Sequence, residues 1–269
     1  CKTVDEQTVN QFYDALQSNG KAQSTNRDTF RMTFRRFVLF LAENRQIELP
    51  LNLHSRLFRF ETTTTPEIVS KEEIIDLLTN VDGKLRLYVL LCLNCGMNNA
   101  DIGKLQNTSM NWRAAERKLK ANQIEFSHVD WSEGRIVRQR VKTSGKGAGV
   151  PTVCYLLWSE TFELLKEFRS EHPTVCLVTG SGEPLYEREL KLKDEIYQAF
   201  KRNKSVVITP KQLRSSAASL FDEHESFGRF AFHFLANSPR GIPDRNYKVP
   251  SQNQFDKAVR WLGRQLGIK

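Results

Sequence analysis

The 269-residue sequence has no run of apolar residues approaching the roughly 18 that a membrane-spanning helix requires, so no membrane partner is expected. No secretory signal is visible at its start, which is Cys1 rather than Met, and this end does not decide targeting. Cysteine is sparse and irregular, with five residues at 1, 92, 95, 154 and 176. An odd, unevenly spaced set argues against a disulfide framework and suits a reducing, intracellular compartment. Cys92 and Cys95 form a CxxC, but no second His or Cys pair stands at a spacing that would complete a zinc site. Both lie in the apolar stretch 85–96, so core packing is expected of them and no metal site. Acidic residues are in deficit, 31 against 40 Lys and Arg, which leaves a net charge of +9. Such a surplus favours a polyanionic partner, nucleic acid before anionic membrane.

What is present is mostly helical patterning. Val9, Phe12 and Leu16 recur at helical spacing, and Gly20 ends that first helix. A second helix is expected over 26–43, with Phe30, Phe34, Phe37 and Leu41 as its apolar stripe. Arg27, Arg31 and Arg35 recur every four residues on another face, either as a solvated surface or as cations for DNA. The stretch 47–65 is poor in pattern and ends in four threonines before Pro66, which reads as a linker. The expected domains are 1–63 and 64–269.

The larger domain opens on a capping box, Ser70 with Glu73, ahead of Ile74, Leu77 and Leu78. An apolar helix over 85–95 ends at Gly96, and a short helix follows over 100–105. Residues 113–125 read as either an inserted helix or a solvated loop. The period then changes. Strands over 135–143 and 150–157 flank a flexible, basic turn, which reads as a β-hairpin. Arg138, Arg140 and Lys142 alternate with Val137, Gln139 and Val141, so the three cations share one sheet face. They are there for an anionic partner or for plain solvation. Helices resume over 160–170 and 187–201. Thr209-Pro210-Lys211-Gln212 is a helix start, with Thr209 as cap, Pro210 at the first helical position and Gln212 closing the box. Lys211 and Arg214 share its first turn, a plausible seat for phosphate. An apolar helix over 227–235, a loop over 238–248 and an amphipathic helix over 255–266 complete the chain.

Several landmarks now fall in one order. Cys-Gly-Met-Asn-Asn-Ala-Asp-Ile-Gly-Lys-Leu (95–105) precedes Val-Lys-Thr (141–143) on the hairpin. Thr-Pro-Lys-Gln-Leu-Arg (209–214), Leu-Ala-Asn-Ser (235–238) and Asp-Arg-Asn-Tyr (244–247) follow. This order resembles the tyrosine recombinase, or phage integrase, family over the region from about Ser70 to the end, and more loosely over the N-terminal module. The resemblance implies a mainly α fold with a small β-hairpin or sheet. In it, a helical, core-binding-like domain precedes the catalytic domain.

The family's chemistry implies roles. A tyrosine hydroxyl attacks the scissile DNA phosphate, forms a covalent 3′-phosphotyrosyl link and frees a 5′-hydroxyl, with no cofactor. Cationic side chains neutralise the phosphate oxygens, and a hairpin lysine protonates the leaving hydroxyl. Matched by position, Tyr247 is the nucleophile, Arg214 the second arginine, Lys142 the hairpin lysine, and Lys211 stands where the family most often has His. Asp101 matches the acid that usually supports the first arginine. Two positions depart from the pattern: Asn98 replaces that first arginine, and Asn237 replaces a late His or Trp. Lys104, Arg240 and Arg245 are nearby cations able to take the place of the missing one. None of the five histidines falls at a catalytic position. The implied partner is double-stranded DNA, gripped through Arg27, Arg31, Arg35, Arg138 and Arg140, with self-association on DNA. The expected location is intracellular and DNA-associated. The functions in contention are site-specific recombination or integration, in a standard or a slow and atypical form, and DNA binding by an inactive protein that has kept the fold. A third is binding of RNA or an acidic protein partner by a basic helical protein.

Overall fold

The computed structural model describes residues 4–18, 24–55, 67–141, 151–186, 195–203, 208–237 and 251–268. The chain divides into two compact units, Cys1–Thr65 and Pro66–Lys269. The first holds α1 (Glu6–Ser18), α2 (Ser24–Glu43) and a 3-10 turn at Leu51–His54. Its core is small: Val9, Tyr13, Leu16, Val38 and Leu53, with Phe12 stacked on Phe34 at 3.9 Å between ring centroids. The buried stripe of α2 differs from the expected one. Phe34, Val38 and Leu41 turn inward at helical spacing, whereas Phe30 and Phe37 are about half exposed (55% and 51%). Aromatic content alone does not choose the face; the partner helix does.

In the second unit, α3 (Lys71–Asn80) starts at the Ser70–Glu73 box, in which the Glu73 N–H donates to Ser70 Oγ at 3.2 Å and the Ser70 N–H to Glu73 Oε2 at 2.9 Å. Next comes α4 (Gly83–Cys95), whose residues 87–95 are all buried. A helix that is apolar on every side belongs at the centre of a core, and α4 packs against α7 (Ser159–Glu167), α8 (Glu195–Arg202) and α9 (Pro210–Leu220). Cys92 and Cys95 are part of that packing, and burial pushes the Cys92 thiol up to about 12. Gly96 ends α4 with φ of 56°, and a Cβ there would lie 2.9 Å from the Phe234 carbonyl oxygen, so both conformation and space favour glycine.

After the short α5 (Asn99–Gly103) come β1 (Leu105–Gln106), α6 (Trp112–Lys120), β2 (Ser127–Asp130), β3 (Arg135–Gln139) and β4 (Thr152–Leu156). The hairpin is thus part of a four-stranded sheet of order β1-β2-β3-β4, parallel between β1 and β2 and antiparallel elsewhere. The segment 113–125 is helical over most of its length, because Ala115 and Leu119 pack with Trp112 onto Val137 and Cys154. On the other face of the sheet, Ile136, Val153 and Tyr155 join the main core. Both faces of β3 are therefore covered. The expected helix over 227–235 is broken into a 3-10 turn, Gly228–Phe230, and α10 (Ala231–Phe234). The last helix, α11 (Gln252–Gln265), packs on β4, and a Cβ at Gly263 would meet Trp158 Nε1 at 2.7 Å. No helix among the described residues is long and apolar enough to cross a membrane.

Candidate functional site

The site grows from the end of α4. Asn98 caps α5: its Oδ1 accepts the Asp101 N–H at 3.0 Å, and its own N–H donates to Asp101 Oδ2 at 3.3 Å. Asp101 is fully buried, and its second oxygen, Oδ1, accepts the Val141 N–H at 2.9 Å. Burial raises its carboxyl pKa, but the Arg138 guanidinium and the Val141 and Asn98 N–H groups outweigh burial and hold it below the ordinary value.

Arg138 is the cation that Asp101 supports. Its Nη2 lies 2.6 Å from Asp101 Oδ2, and its Nη1 donates to the Cys95 carbonyl at 2.8 Å and the Tyr155 hydroxyl at 3.3 Å. Tyr155 donates in turn to the Phe234 carbonyl at 2.6 Å. The expectation that Arg138 faces DNA from the hairpin is corrected here, since its side chain is 0% exposed. The period-two argument placed Arg138 and Arg140 on one face of β3, but that face is closed by the helical core.

Arg140 and Arg214 meet at one acceptor. Arg140 Nη1 donates to Asn237 Oδ1 at 2.6 Å, and Arg214 Nη2 reaches the same oxygen at 3.4 Å and the Leu235 carbonyl at 3.0 Å. The two guanidinium nitrogens therefore lie no farther apart than the sum of those first two distances. Two unit charges about 5 Å apart repel by about 3 kcal/mol at an effective dielectric of 20. Arg214 Nε is buried without a hydrogen-bond partner among the described residues. Burial, with Arg138 and Arg140 adding to it, pulls the Arg214 pKa down to about 10, so it remains charged at neutral pH. Burial also lowers that of Arg140, with Arg138 adding to it. Among the described residues the carboxylate at this cluster is Asp101, which is paired with Arg138.

The structure thus brings together Asn98 with Asp101, and Arg214 with Asn237 and Arg140. Lys211 is exposed on the first turn of α9, beside the Thr209–Gln212 box, and makes no hydrogen bond or ion pair among the described residues. Lys142 and Tyr247, like Arg240 and Arg245, lie outside the described residues. In the N-terminal unit, Arg31 pairs with Asp28, and Arg35 Nε donates to the Tyr13 hydroxyl at 3.1 Å. The side chain of Arg27 lies outside the described residues. Sequence reasoning missed Arg138 as the partner of Asp101 and Tyr155 as its second support. The available signal was Asp101 itself, a carboxylate without its usual arginine, and a strand arginine in need of one. No group of three or more His, Cys, Asp or Glu able to hold a metal occurs among the described residues.

No protein-family model matches the chain. No curated protein matches it in sequence. Solved structures do. A lambda integrase fragment, crystallised as a dimer bound to a COC′ core site, superposes with a TM-score of 0.59 at 14% identity, covering 93% of this chain and 83% of that one. A lambda integrase tetramer bound to a Holliday junction gives 0.60 at 14% identity, covering 93% and 67%. The Tn1549 transposon integrase, in complex with a circular intermediate DNA, gives 0.56 at 8% identity, covering 97% and 86%. At these identities the likeness is one of fold, and it extends over nearly the whole chain: a mainly helical protein with a small mixed sheet, built on the fold of the tyrosine recombinases.

Proposed function

We propose that this chain binds double-stranded DNA and cleaves and rejoins its strands through a 3′-phosphotyrosyl link to Tyr247. The Tyr247 hydroxyl passes its proton to water and attacks the phosphorus, the bond to the 5′ oxygen breaks, and the leaving 5′ oxygen takes a proton from Lys142. Attack by a 5′-hydroxyl reverses the step. Arg214 and Lys211 bind the phosphate oxygens. The N-terminal unit serves as the core-binding-like module and the second as the catalytic one, in an intracellular protein that self-associates on DNA.

The observation that carries this reading is Arg214. A buried guanidinium facing neutral acceptors is costly unless an anion completes it. Within this fold, the anion of matching chemistry is a phosphodiester. A second reading, DNA binding without turnover, is favoured by Asn98, a neutral side chain committed to capping α5 where the resemblance implies an arginine. A nicked duplex obtained by selection from random sequence separates the two. The wild-type chain should give a covalent protein–DNA adduct on a denaturing gel, and Tyr247→Phe should give none while binding the duplex with nearly unchanged affinity. Binding without any adduct from the wild type would select the second reading.

A further inference from the structure

We propose that Tyr155, on β4, is a positioning residue for Arg214: its hydroxyl fixes the turn after α10 whose acceptors hold the Arg214 guanidinium. That the anion at Arg214 is a DNA phosphate rests on the proposed function; the tie between the two residues rests on the geometry. Two consecutive carbonyls carry it. The Phe234 carbonyl accepts the Tyr155 hydroxyl at 2.6 Å, and the Leu235 carbonyl, one residue on, accepts Arg214 Nη2 at 3.0 Å. The hydroxyl is itself held. Its oxygen accepts Arg138 Nη1 at 3.3 Å, which leaves its proton for Phe234. Arg138 in turn is locked by Asp101 and the Cys95 carbonyl. Burial pushes the Tyr155 hydroxyl pKa up to about 12, so it stays a protonated donor at neutral pH. The ring is fixed as well, edge-on to Phe234 and Phe255 at 5.9 and 5.6 Å between centroids.

The turn needs such a tie. Four residues make up α10, too few for a helix to hold itself rigid. The chain then passes through Ala236, whose φ of 47° puts an alanine where glycine is ordinarily favoured. Strain of this kind persists where the surroundings over-determine the backbone. Two bonds close the turn on itself: the Ala236 N–H donates to the His233 carbonyl at 2.9 Å, and the Asn237 N–H to the Phe232 carbonyl at 3.4 Å. Among the described residues, the hydrogen bonds that reach its backbone from outside come from Tyr155 and Arg214. The same turn carries Asn237, whose Oδ1 accepts Arg214 Nη2 at 3.4 Å, so both acceptors of Arg214 move with the Phe234 carbonyl. A planar, forked donor follows its acceptors, and a shift of this turn redirects the guanidinium.

The test titrates inorganic phosphate into the full chain and follows the Arg214 Nε–H and Tyr155 hydroxyl proton signals by NMR. In the wild type both should shift with one midpoint, because each senses the same turn. Tyr155→Phe keeps the ring and removes the hydroxyl. It should raise the Arg214 midpoint by about five- to tenfold, the size of one lost hydrogen bond. Thr161→Val, at a buried hydroxyl on α7, should leave the midpoint within about twofold. If Tyr155→Phe does not fold, the wild-type signals still decide. A Tyr155 signal that stays still while Arg214 moves would overturn the positioning role. So would an Arg214 midpoint unchanged in Tyr155→Phe, an equal rise in Thr161→Val, or no phosphate-dependent shift at Arg214. On the nicked duplex, Tyr155→Phe should slow adduct formation at saturating DNA by about 10–10²-fold, with duplex affinity within about twofold of wild type. Adduct formed at the wild-type rate by Tyr155→Phe overturns the role of Tyr155 and leaves strand cleavage standing. A shared phosphate midpoint that rises in Tyr155→Phe, without any adduct from the wild type, supports the positioning and overturns the cleavage.

Discussion

The two faces of β3 treat their arginines differently. On one face Arg135 lies against α11, with Nη1 and Nη2 donating to the two oxygens of Asp256 at 3.0 and 2.6 Å. That fork is matched, and the pairing raises the Arg135 pKa. Across the strand Arg138 is equally matched by Asp101, but Arg140 joins Arg214 around a neutral amide. The first face therefore holds a structural ion pair with nothing left to bind. The second also holds Arg214, a buried guanidinium whose acceptors among the described residues are the neutral Leu235 carbonyl and Asn237 Oδ1.

The largest way to break this contrast is Asp101→Asn. Breaking a buried pair by removing one partner typically costs about 3–5 kcal/mol, because the other charge stays buried. Urea unfolding should show a loss of that size, with phosphate binding perturbed as well, since Val141 and Arg140 lose their anchor. The pH dependence follows from the lowered carboxyl pKa of Asp101. A depressed folded value contributes stability that is present above the unfolded value near 3.9 and disappears as pH falls through the folded value. The wild type should therefore lose this contribution below about pH 4, and Asp101→Asn should show less acid sensitivity there.

Asp256→Asn tests the other face. Its pair with Arg135 is less deeply buried than that of Arg138, and its loss should cost about 2 kcal/mol. Phosphate affinity should stay within about twofold of wild type, because the change lies across the strand from the cluster. A large change in phosphate binding with little loss of stability would undo the division between the two faces.

What was legible in the sequence divides along the same line. The Ser70–Glu73 and Thr209–Gln212 boxes were readable because they are closed within four residues. The course of α4 was readable because its nine consecutive buried positions, 87–95, are apolar at all but Asn94. The hairpin was readable from its period, but β1 and β2 were not, being two and four residues long. The burial of Arg138 was illegible for a different reason. Periodicity assigns a face, and what covers that face is set by α4, more than 40 residues earlier. By resemblance Asn98 is an emptied catalytic position, although Asn98-x-x-Asp101 is itself a capping box. Two physical roles compete for the same residue type there, and local spacing does not separate them.

Asn98→Arg sharpens that competition. The new guanidinium would arrive where Asp101 is already taken by Arg138. It would also remove the N-cap oxygen, a loss of about 1 kcal/mol. Stability should fall by about 1–2 kcal/mol once repulsion from the existing arginines is added. Strand cleavage, if measurable, should slow. A faster reaction would mean that Arg138 does not already fill the cationic role.

The smallest expected effect is the most discriminating. Asn237→Asp changes one amide nitrogen to oxygen and hardly alters shape, so packing should survive. It puts a carboxylate between Arg140 and Arg214, both of which now donate to the neutral Asn237 Oδ1. If that position is short of negative charge, the fold should gain about 1 kcal/mol in urea unfolding near neutral pH, as charged hydrogen bonds replace neutral ones. The gain should vanish in acid, because the introduced carboxyl, held between two arginines, titrates below its unfolded value and its stabilisation disappears as pH falls through the folded one. Phosphate affinity should drop by about tenfold or more, because an internal carboxylate then competes for the same charged donors. Stability and binding would thus move in opposite directions from one substitution. A variant that loses both has been damaged rather than neutralised. One that gains stability and still binds phosphate as tightly as before would show that Arg214 is not where the anion sits.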